Sequence, residues 1–358
     1  MKLRKIISVI IVLGIFATLL SGCDKKEADS TSSQLKKVTI SIGNTGAAGI
    51  IPVIAAYKNF DEEFGLDFVI SPIADAPSAI AAIESGTADL AGWSAAAPLN
   101  YIAQGNETLE IIGGLMSDFE TFIVKPSNED AWKGTIDGEF LKGKKIASNR
   151  TNSGDIALRG FWASQGIDLS TIEFLELDSP ATVIEAVKNG QVDAGIVNGA
   201  FYLPAENAGL VNVRFIKELI GDDFICCRQV VQKSDYEKNP EKYKNIEKAL
   251  IKAYAYYSDT ANKEDVLDQA VKFFVTERSQ IEYLVYEYGD LVLKPNPELN
   301  KIKEYYDGMK ASGYIDKNTK VKIEDFVSTK AYFDALDELL KEEPDNEVYK
   351  EIKAEFAD

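Results

Sequence analysis

The possible folds of this chain are limited most by a short motif that occurs twice, 104 residues apart. One copy is Ala82-Ile-Glu-Ser-Gly86-Thr-Ala-Asp89, and the second is Ala186-Val-Lys-Asn-Gly190-Gln-Val-Asp193. In both copies the glycine lies where a helix would end, which favours positive φ, and the aspartate precedes the next apolar run. Helix–glycine–strand junctions are common in α/β proteins, but two further pairs recur at nearly the same spacing: Gly65-Leu66-Asp67 with Gly166-Ile167-Asp168, and Asp118-Phe119 with Asp223-Phe224. The shared spacing predicts two halves of similar structure.

Short β-branched runs alternate with helical periodicity around these motifs. In the first half, strands are predicted at 38–42, 66–70, 88–92 and 109–113, with helices at 50–64, 77–85 and 95–104. In the second half, strands are predicted at 145–148, 172–177 and 192–197, with helices at 154–165 and 180–189. Strands separated by helices favour parallel pairing. The predicted fold class is therefore α/β, with two lobes built on parallel-rich sheets.

The chain beyond residue 234 changes to long amphipathic helices. They are predicted at 244–258, 263–275, 279–288, 297–312 and 329–340. Their apolar stripes must pack on another element, and the first lobe is the simplest partner. We therefore expect lobe 1 to comprise 38–117 and 232–358 and lobe 2 to comprise 118–231, with hinge crossings at 118–125 and 223–231.

The N-terminus indicates the compartment. Three basic residues precede an apolar run from Ile6 to Leu20, which is shorter than the roughly 20 residues of a membrane-spanning helix. The next residues, Leu20-Ser21-Gly22-Cys23, resemble a bacterial lipobox; the alternative is an ordinary signal peptide with an incidental cysteine. We predict a lipoprotein signal peptide at 1–22, lipidation of Cys23, a flexible tether at 23–37, and attachment to the extracytoplasmic face of the cell membrane.

Charge and residue usage exclude several classes of function. The net charge of −18 becomes −21 when the three positive charges of the signal peptide are removed, which argues against nucleic acid as a partner. The chain has no histidine, and its two other cysteines, Cys226 and Cys227, are adjacent, so neither a zinc site nor a disulfide scaffold is expected. Glycines 43, 46 and 49 do not have the spacing of a dinucleotide site. We predict no enzyme activity, no metal and no cofactor.

Ligands of open parallel sheets bind beyond the carboxyl ends of the strands, beside helix N-termini. Four loops of this chain follow predicted strands and precede predicted helices in this way. Aromatic residues in these loops or at the crossings would form an apolar wall of the ligand site. Arg150 is the only cation on these loops and is the predicted charge partner, although an exposed arginine there would serve equally well for solubility. The candidate ligand-binding residues are Asn44, Thr45, Gly46, Ala47, Trp93, Ser94, Phe119, Arg150, Thr151, Asn152, Ser153, Asn198, Phe201 and Tyr202. The alternative roles are helix capping for the polar residues and packing between the lobes for the aromatic ones.

The chain also resembles a known family over residues 52 to about 259. The matching segments include Ile51-Pro52, Phe64-Gly65-Leu66-Asp67, Leu141-Lys142-Gly143-Lys144-Lys145-Ile146, Gln165-Gly166-Ile167-Asp168 and the repeated motif. They resemble the solute-binding proteins of the nitrate, sulfonate and taurine importers, a group that includes binding proteins for thiamine-pyrimidine precursors. The resemblance implies a periplasmic-binding-protein-like fold of type II that closes on its ligand and delivers it to an ABC permease and its ATPase.

The sequence departs from this family at two places, and these departures leave the ligand open. Residues 198–201 read Asn-Gly-Ala-Phe where many members have an acidic residue followed by proline, and residues 226–228 read Cys-Cys-Arg. The primary prediction is a monomeric binding lipoprotein for a small organic anion such as a sulfonate, taurine or nitrate. The alternative ligand is an uncharged heteroaromatic compound such as a pyrimidine thiamine precursor or a flavin. An enzyme, or a structural or adhesive lipoprotein, is the alternative from a different class.

Overall fold

The chain folds around two β-sheets. The computed structural model describes residues 35–43, 47–149, 151–274, 277–289 and 291–355. Within these residues sheet A has six strands and sheet B has five. The strands are β1 Lys36–Gly43, β2 Leu66–Ile73, β3 Leu90–Ser94, β4 Leu109–Asp118, β5 Glu120–Val124, β6 Lys145–Asn149, β7 Glu173–Leu177, β8 Ala194–Asn198, β9 Val211–Phe215, β10 Ile225–Gln232 and β11 Leu291–Val292.

Apart from the edge strand β11 of sheet A, the two sheets have the same arrangement of strands. Sheet A has the order β11-β4-β10-β3-β1-β2, and sheet B has the order β7-β6-β8-β5-β9. In each sheet the first strand of a half, β1 or β6, pairs in parallel with two neighbours. Next to these parallel strands, β10 of sheet A and β5 of sheet B are each antiparallel to both of their neighbours, and each follows directly after the chain has crossed from the other sheet.

Helices cover both sheets. They are α1 Ile50–Tyr57, α2 Ala76–Glu84, α3 Ala96–Ala103, α4 Glu129–Lys133, α5 Gly138–Leu141, α6 Ser153–Ser164, α7 Pro180–Lys188, α8 Tyr202–Asn207, α9 Ile216–Ile220, α10 Lys233–Lys238, α11 Pro240–Ser258, α12 Lys263–Phe273, α13 Arg278–Glu282, α14 Leu299–Ala311, α15 Lys330–Glu342 and α16 Glu347–Ala354. A π-helical turn, Tyr283–Glu287, continues α13. Among the described residues, no helix combines the length and apolarity needed to cross a membrane.

The repeated motif has the same structure in both halves. Gly86 and Gly190 both have φ of 71°, as a left-handed residue after a helix requires. The carboxylate of Asp89 accepts a hydrogen bond of 2.8 Å from the backbone N–H of Thr39 in β1. The carboxylate of Asp193 accepts one of the same length from the backbone N–H of Lys145 in β6. The duplication predicted from the spacing is therefore confirmed at the level of individual hydrogen bonds.

Each sheet separates two apolar cores. In β4, Ile111 and Ile112 lie in different cores, and in β5, Phe122 and Ile123 do the same. Successive strand residues point to opposite faces, so a strand covered by helices on both sides is apolar throughout. This is the mixed α/β architecture that the alternation predicts.

The crossings between the sheets differ from their predicted extents. The first lies at Asp118 and Phe119, which have positive φ values of 58° and 88° and connect β4 directly to β5. At the second crossing, Phe224 donates its N–H to the Asp118 carboxylate at 3.0 Å and accepts from the Asp118 N–H at 2.9 Å. Residues 225–231, which we expected in lobe 2 and its hinge, belong to β10 of sheet A. The second boundary is corrected to a point before Ile225, because β10 fills the space between β3 and β4.

The C-terminal helices pack on the first lobe, as predicted, and one of them also contacts the second half. Helix α11 packs on α1 of the first half and on α15. Helix α14 packs on the sheet A core and also against α6 of the second half. Gly160 in α6 and Gly308 in α14 allow this contact, since a Cβ on Gly160 would lie 2.6 Å from the Gly308 Cα. The extension therefore packs on lobe 1 as expected, and α14 contacts the second half in addition.

Candidate functional site

The predicted ligand loops of both sheets surround one cavity of about 220 Å³. This volume equals that of roughly seven waters in the liquid and lies below the range of roughly 300–1,000 Å³ for drug-sized ligands. The lining residues are Gly43, Ala48, Gly92, Trp93, Ser94, Met116, Phe119, Glu120, Asn149, Thr151, Asn152, Ser153, Asn198, Ala200, Phe201, Cys226 and Cys227. They follow the carboxyl ends of β1, β3, β6 and β8 or lie at the crossings. The site therefore lies where the two sheets meet.

Aromatic rings form two walls of the cavity, and glycines allow their close approach. A Cβ on Gly43 would lie 3.2 Å from the ring of Trp93, and one on Gly199 would lie 2.5 Å from the ring of Phe119. Phe119 also makes an edge-to-face contact with Tyr288, with ring centroids 5.3 Å apart. The rings are consequently fixed in position before a ligand binds.

Ser94 connects the two halves directly. Its hydroxyl lies 2.9 Å from the hydroxyl of Ser153 and donates to the carbonyl of Thr151 at 3.1 Å. Ser94 ends β3 of sheet A, whereas the other two residues begin the α6 region of the second half. Tyr305 of α14 supports the same loop by donating its hydroxyl to the Ser153 carbonyl at 3.3 Å. The bridge closes one side of the cavity with polar groups from both halves.

Glu120 is a buried carboxylate in the cavity wall, with 2% of its surface exposed. Gly154, in the first turn of α6, allows its approach, because a Cβ there would lie 2.7 Å from the Glu120 Cβ. The Cys226 thiol donates weakly to the Glu120 carboxylate, at 4.0 Å. A buried carboxylate is a strong hydrogen-bond acceptor with up to four lone-pair directions.

The N-terminus of α6 is already balanced by negative charge. Asn152 caps the helix by accepting from the Asp155 N–H at 2.8 Å. Asp155, in the first turn, is buried and pairs with Arg159 through two hydrogen bonds of 2.9 and 2.6 Å. With Glu120 beside the same turn, the positive end of the helix dipole has carboxylates around it.

Sulfur atoms form the remaining wall. Met116, Cys226 and Cys227 line the cavity, and the two thiol sulfurs lie 3.4 Å apart. The hydrogen bond with Cys227 and burial raise the pKa of the Cys226 thiol well above its usual range. Behind this wall the buried guanidinium of Arg228 donates to the carbonyls of Met116 and Cys227 at 2.9 and 3.0 Å. Polarisable sulfur and aromatic rings together suit a flat ligand.

Eight predicted site residues lie in the cavity wall, and two other described ones, Ala47 and Tyr202, do not. Asn44, Thr45, Gly46 and Arg150 lie outside the described residues, so their roles stay predictions. Ala47 is buried in the sheet A core, and its neighbour Ala48 lines the cavity instead. Tyr202 is not among the lining residues, because its ring packs on Tyr283 and Tyr288, with centroids 5.4 and 5.6 Å away.

Several lining residues were absent from the candidate set. Met116 and Glu120 flank the Asp118–Phe119 crossing, and the repeated Asp-Phe dipeptide was the sequence signal that could have pointed to them. Cys226 and Cys227 follow the second copy of that dipeptide. Among the described residues, no group of three or more histidine, cysteine or acidic side chains could hold a metal ion.

A larger space of about 430 Å³ lies between α6, α14 and the second crossing. It is lined by Phe161, Tyr305 and other residues of these helices, and the described residues of the predicted ligand loops are not part of its lining. Convergence of loops from both halves, rather than size, therefore identifies the smaller cavity as the candidate site.

Comparison with known proteins identifies relatives of this chain. A family model described as NMT1/THI5 like matches residues 44–262, which is more than half of the chain. A protein of Brucella abortus (strain 2308), provisionally named as a binding protein, is 25% identical over 237 residues, which cover 65% of this chain and 70% of the relative.

Solved structures show the same fold. The periplasmic nitrate-binding protein of Synechocystis PCC 6803 has a TM-score of 0.66 at 16% identity, covering 86% of this chain and 89% of its own. The periplasmic aliphatic sulphonate binding protein of Escherichia coli has a TM-score of 0.65 at 16% identity, covering 82% and 92%. A Candida albicans protein described as having the generic periplasmic binding protein fold has a TM-score of 0.60 at 13% identity, covering 82% and 97%. The chain therefore has the periplasmic-binding-protein fold.

Proposed function

Because this chain belongs to the NMT1/THI5-like family and has the periplasmic-binding-protein fold, we propose that it is the lipid-anchored, extracytoplasmic solute-binding component of an ABC importer. The two halves would close on a small ligand and present it to a membrane permease driven by an ATPase. The observation that carries this proposal is a cavity lined by loops of both sheets and bridged by Ser94 and Ser153. Such a bridge forms only when the halves are close together, which is how ligand binding and closure would be coupled.

The cavity favours an uncharged ring compound that carries N–H or O–H donors. Its walls are aromatic and sulfur-containing, and they include the buried carboxylate of Glu120. An anion bound directly against this carboxylate would meet a like charge. A ligand N–H would instead gain a charge-assisted hydrogen bond. The small volume further favours a single ring, such as a substituted aminopyrimidine, over a three-ring flavin.

A thermal-shift panel tests the function and the ligand class together. The panel contains 4-aminopyrimidines, riboflavin, taurine, ethanesulfonate and nitrate, each added to the purified protein. A ligand present at 100 times its Kd should stabilise the protein by about 2.7 kcal/mol. Stabilisation by an aminopyrimidine supports the proposal. Stabilisation by a sulfonate or nitrate alone would support the anion prediction instead, and no response to any compound would contradict a solute-binding role of this kind.

The variant Glu120→Gln separates the two ligand classes by the sign of its effect. For a ligand that donates to the carboxylate, the substitution should weaken binding about 10- to 100-fold, since a hydrogen bond to a charged group contributes about 1.5–3 kcal/mol. For an anionic ligand it should strengthen binding, because it removes a like charge. Glu185→Gln, an exposed carboxylate of α7 in the same half, is the matched control and should leave Kd unchanged. Fluorescence of Trp93 in the cavity wall provides the titration signal.

A further inference from the structure

Cys226 and Cys227 form a pair of thiols in the wall of the ligand cavity. They are consecutive residues of β10, where regular pleating would point their side chains to opposite faces. The pairing of β10 with β4 is irregular here, with register shifts on both sides of Cys227. This bulge accompanies an approach of the two sulfurs to 3.4 Å, and both residues line the same cavity. Both are free thiols in the structure.

We propose that Cys226 and Cys227 are a reversible oxidation site that closes into an eight-membered vicinal disulfide ring and lowers the affinity of the cavity for its ligand. The oxidant is a small disulfide such as oxidised glutathione. The Cys227 sulfur attacks one oxidant sulfur, the oxidant S–S bond breaks, and one reduced thiol leaves. The Cys226 sulfur then attacks the Cys227 sulfur of this mixed disulfide and releases the second thiol. The two cysteines lose two electrons and two protons, and the oxidant gains both.

The geometry makes the reaction feasible and the product easily reduced. The sulfurs must approach by about 1.3 Å to reach the disulfide bond length of about 2.05 Å. Adjacent Cα atoms are about 3.8 Å apart, below the usual range of about 4.4–6.8 Å for disulfides, so the ring is strained. Strained disulfides have more oxidising potentials and are the labile ones in proteins. The pair therefore suits a reversible switch rather than a structural bridge.

Formation of the first mixed disulfide would also prepare the second step. The pKa of the Cys226 thiol is raised first by its hydrogen bond with Cys227 and then by burial. When the Cys227 sulfur forms the mixed disulfide, it loses its hydrogen atom and can no longer carry a charge. The part of the Cys226 pKa increase that is due to Cys227 is then lost. Cys226 then becomes a better nucleophile at the moment when its target is 3.4 Å away.

Closure of the ring would act on the cavity through the backbone. The Cys226 carbonyl accepts a hydrogen bond of 2.7 Å from the N–H of Ala95, and Cys227 pairs with Ser94. Ser94 forms the bridge to Ser153 in the other half. A ring that distorts the peptide between the cysteines would weaken these contacts. The effect on ligand binding rests on the proposed function, whereas the oxidation and its effect on Ala95 do not.

Mass spectrometry tests the oxidation directly. The full chain and the variants Cys226→Ser and Cys227→Ser are treated with oxidised glutathione, alkylated and digested with trypsin, which releases both cysteines in the peptide 218–228. We expect this wild-type peptide to lose two hydrogen atoms and resist alkylation until dithiothreitol is added. Each single variant should retain one glutathione, because it lacks the resolving thiol. A wild-type peptide that stays reduced, or that keeps a stable mixed disulfide, would refute the proposal.

Two further measurements test the consequence for the cavity. Hydrogen exchange at the Ala95 amide should accelerate about tenfold on oxidation, as expected for the loss of roughly one hydrogen bond, and should recover on reduction. An aminopyrimidine that shifts the melting temperature should bind the oxidised protein about tenfold more weakly. Unchanged exchange and unchanged Kd in a protein shown to carry the ring would overturn control of the site. If no compound binds either form, the proposed function fails, and the mass and exchange data still decide the oxidation proposal.

Discussion

Replacement of Arg228 by methionine should be the most destabilising single change behind the ligand cavity. The guanidinium is fully buried and donates to the carbonyls of Met116 and Cys227, to the hydroxyl of Ser117 at 3.3 Å, and to the carboxylate of Glu298. It thereby connects β4, β10 and the residue that precedes α14. Methionine has similar length and packs well, so the substitution removes the charge and the donors with little loss of volume.

The expected cost follows from what the substitution leaves behind. The Glu298 side chain is 15% exposed and would lose the cation that balances it. Removal of one partner from a buried ion pair costs about 3–5 kcal/mol, mainly because the other charge stays buried without compensation. This is a large part of the roughly 5–15 kcal/mol that stabilises an ordinary fold. At about 2 °C per kcal/mol for a chain of this size, the melting temperature should fall by about 6–10 °C.

Denaturant unfolding followed by circular dichroism measures this cost. The matched control is Arg278→Met, since Arg278 also pairs with two carboxylates, those of Glu264 and Asp268, but is 37% exposed. An exposed pair contributes about 0–1 kcal/mol. The double variant Arg228→Met with Glu298→Leu should recover most of the lost stability, because no buried charge remains. If Arg228→Met costs no more than Arg278→Met, the argument from burial is wrong.

Three further predictions concern other parts of the molecule. Burial raises the pKa of Glu247 well above 4.5, so the folded state keeps a proton that the unfolded chain releases, and stability should fall as pH rises above about 4.5. In urea unfolding, Glu247→Gln should be as stable as wild type at pH 4 and increasingly more stable than wild type towards pH 8. Parallel pH profiles of the two proteins would contradict this. Gly160→Ala should lower the free energy of unfolding by about 1–3 kcal/mol, because its Cβ would lie 2.6 Å from the Gly308 Cα. A Cβ on Gly308 would lie 3.3 Å from the Gly160 Cα, so Gly308→Ala should be neutral or stabilise the protein by up to about 1 kcal/mol. Equal melting temperatures of the two variants would refute the close helix contact. Cys23→Ala should release the protein from the membrane fraction of cells, and retention there would count against the lipid anchor.

The sequence was sufficient to predict the conformation of a segment where residues close to it in the chain determine that conformation. The glycines of the repeated motif end helices with positive φ. Helix α7 begins at its predicted residue because Ser179 caps it and Pro180 occupies its first turn. The predicted helix at 50–64 was too long, since Asn59 takes a left-handed conformation with φ of 57° and the α-helix ends at Tyr57.

The candidate site could be predicted as loops but not as a complete cavity. Trp93, Ser94 and Asn198 follow parallel strands, so the rule that ligands bind at the carboxyl ends of strands places them correctly. Glu120 and Cys226 lie in strands of different sheets that enter the site from the crossings. Their positions depend on pairing between residues about 100 apart in sequence, for which no local pattern exists.

The order of residues was enough to predict two α/β halves, their duplicated turns and the loops that could bind a ligand, because these features depend on contacts between near neighbours in the chain. Tertiary packing alone placed β10 between β3 and β4 and brought α14 against α6. It also places the Tyr202 ring in an aromatic cluster with Tyr283 and Tyr288 and not in the cavity wall. Those arrangements depend on which distant surfaces fit together, and shape complementarity of that kind leaves no periodic trace in a sequence.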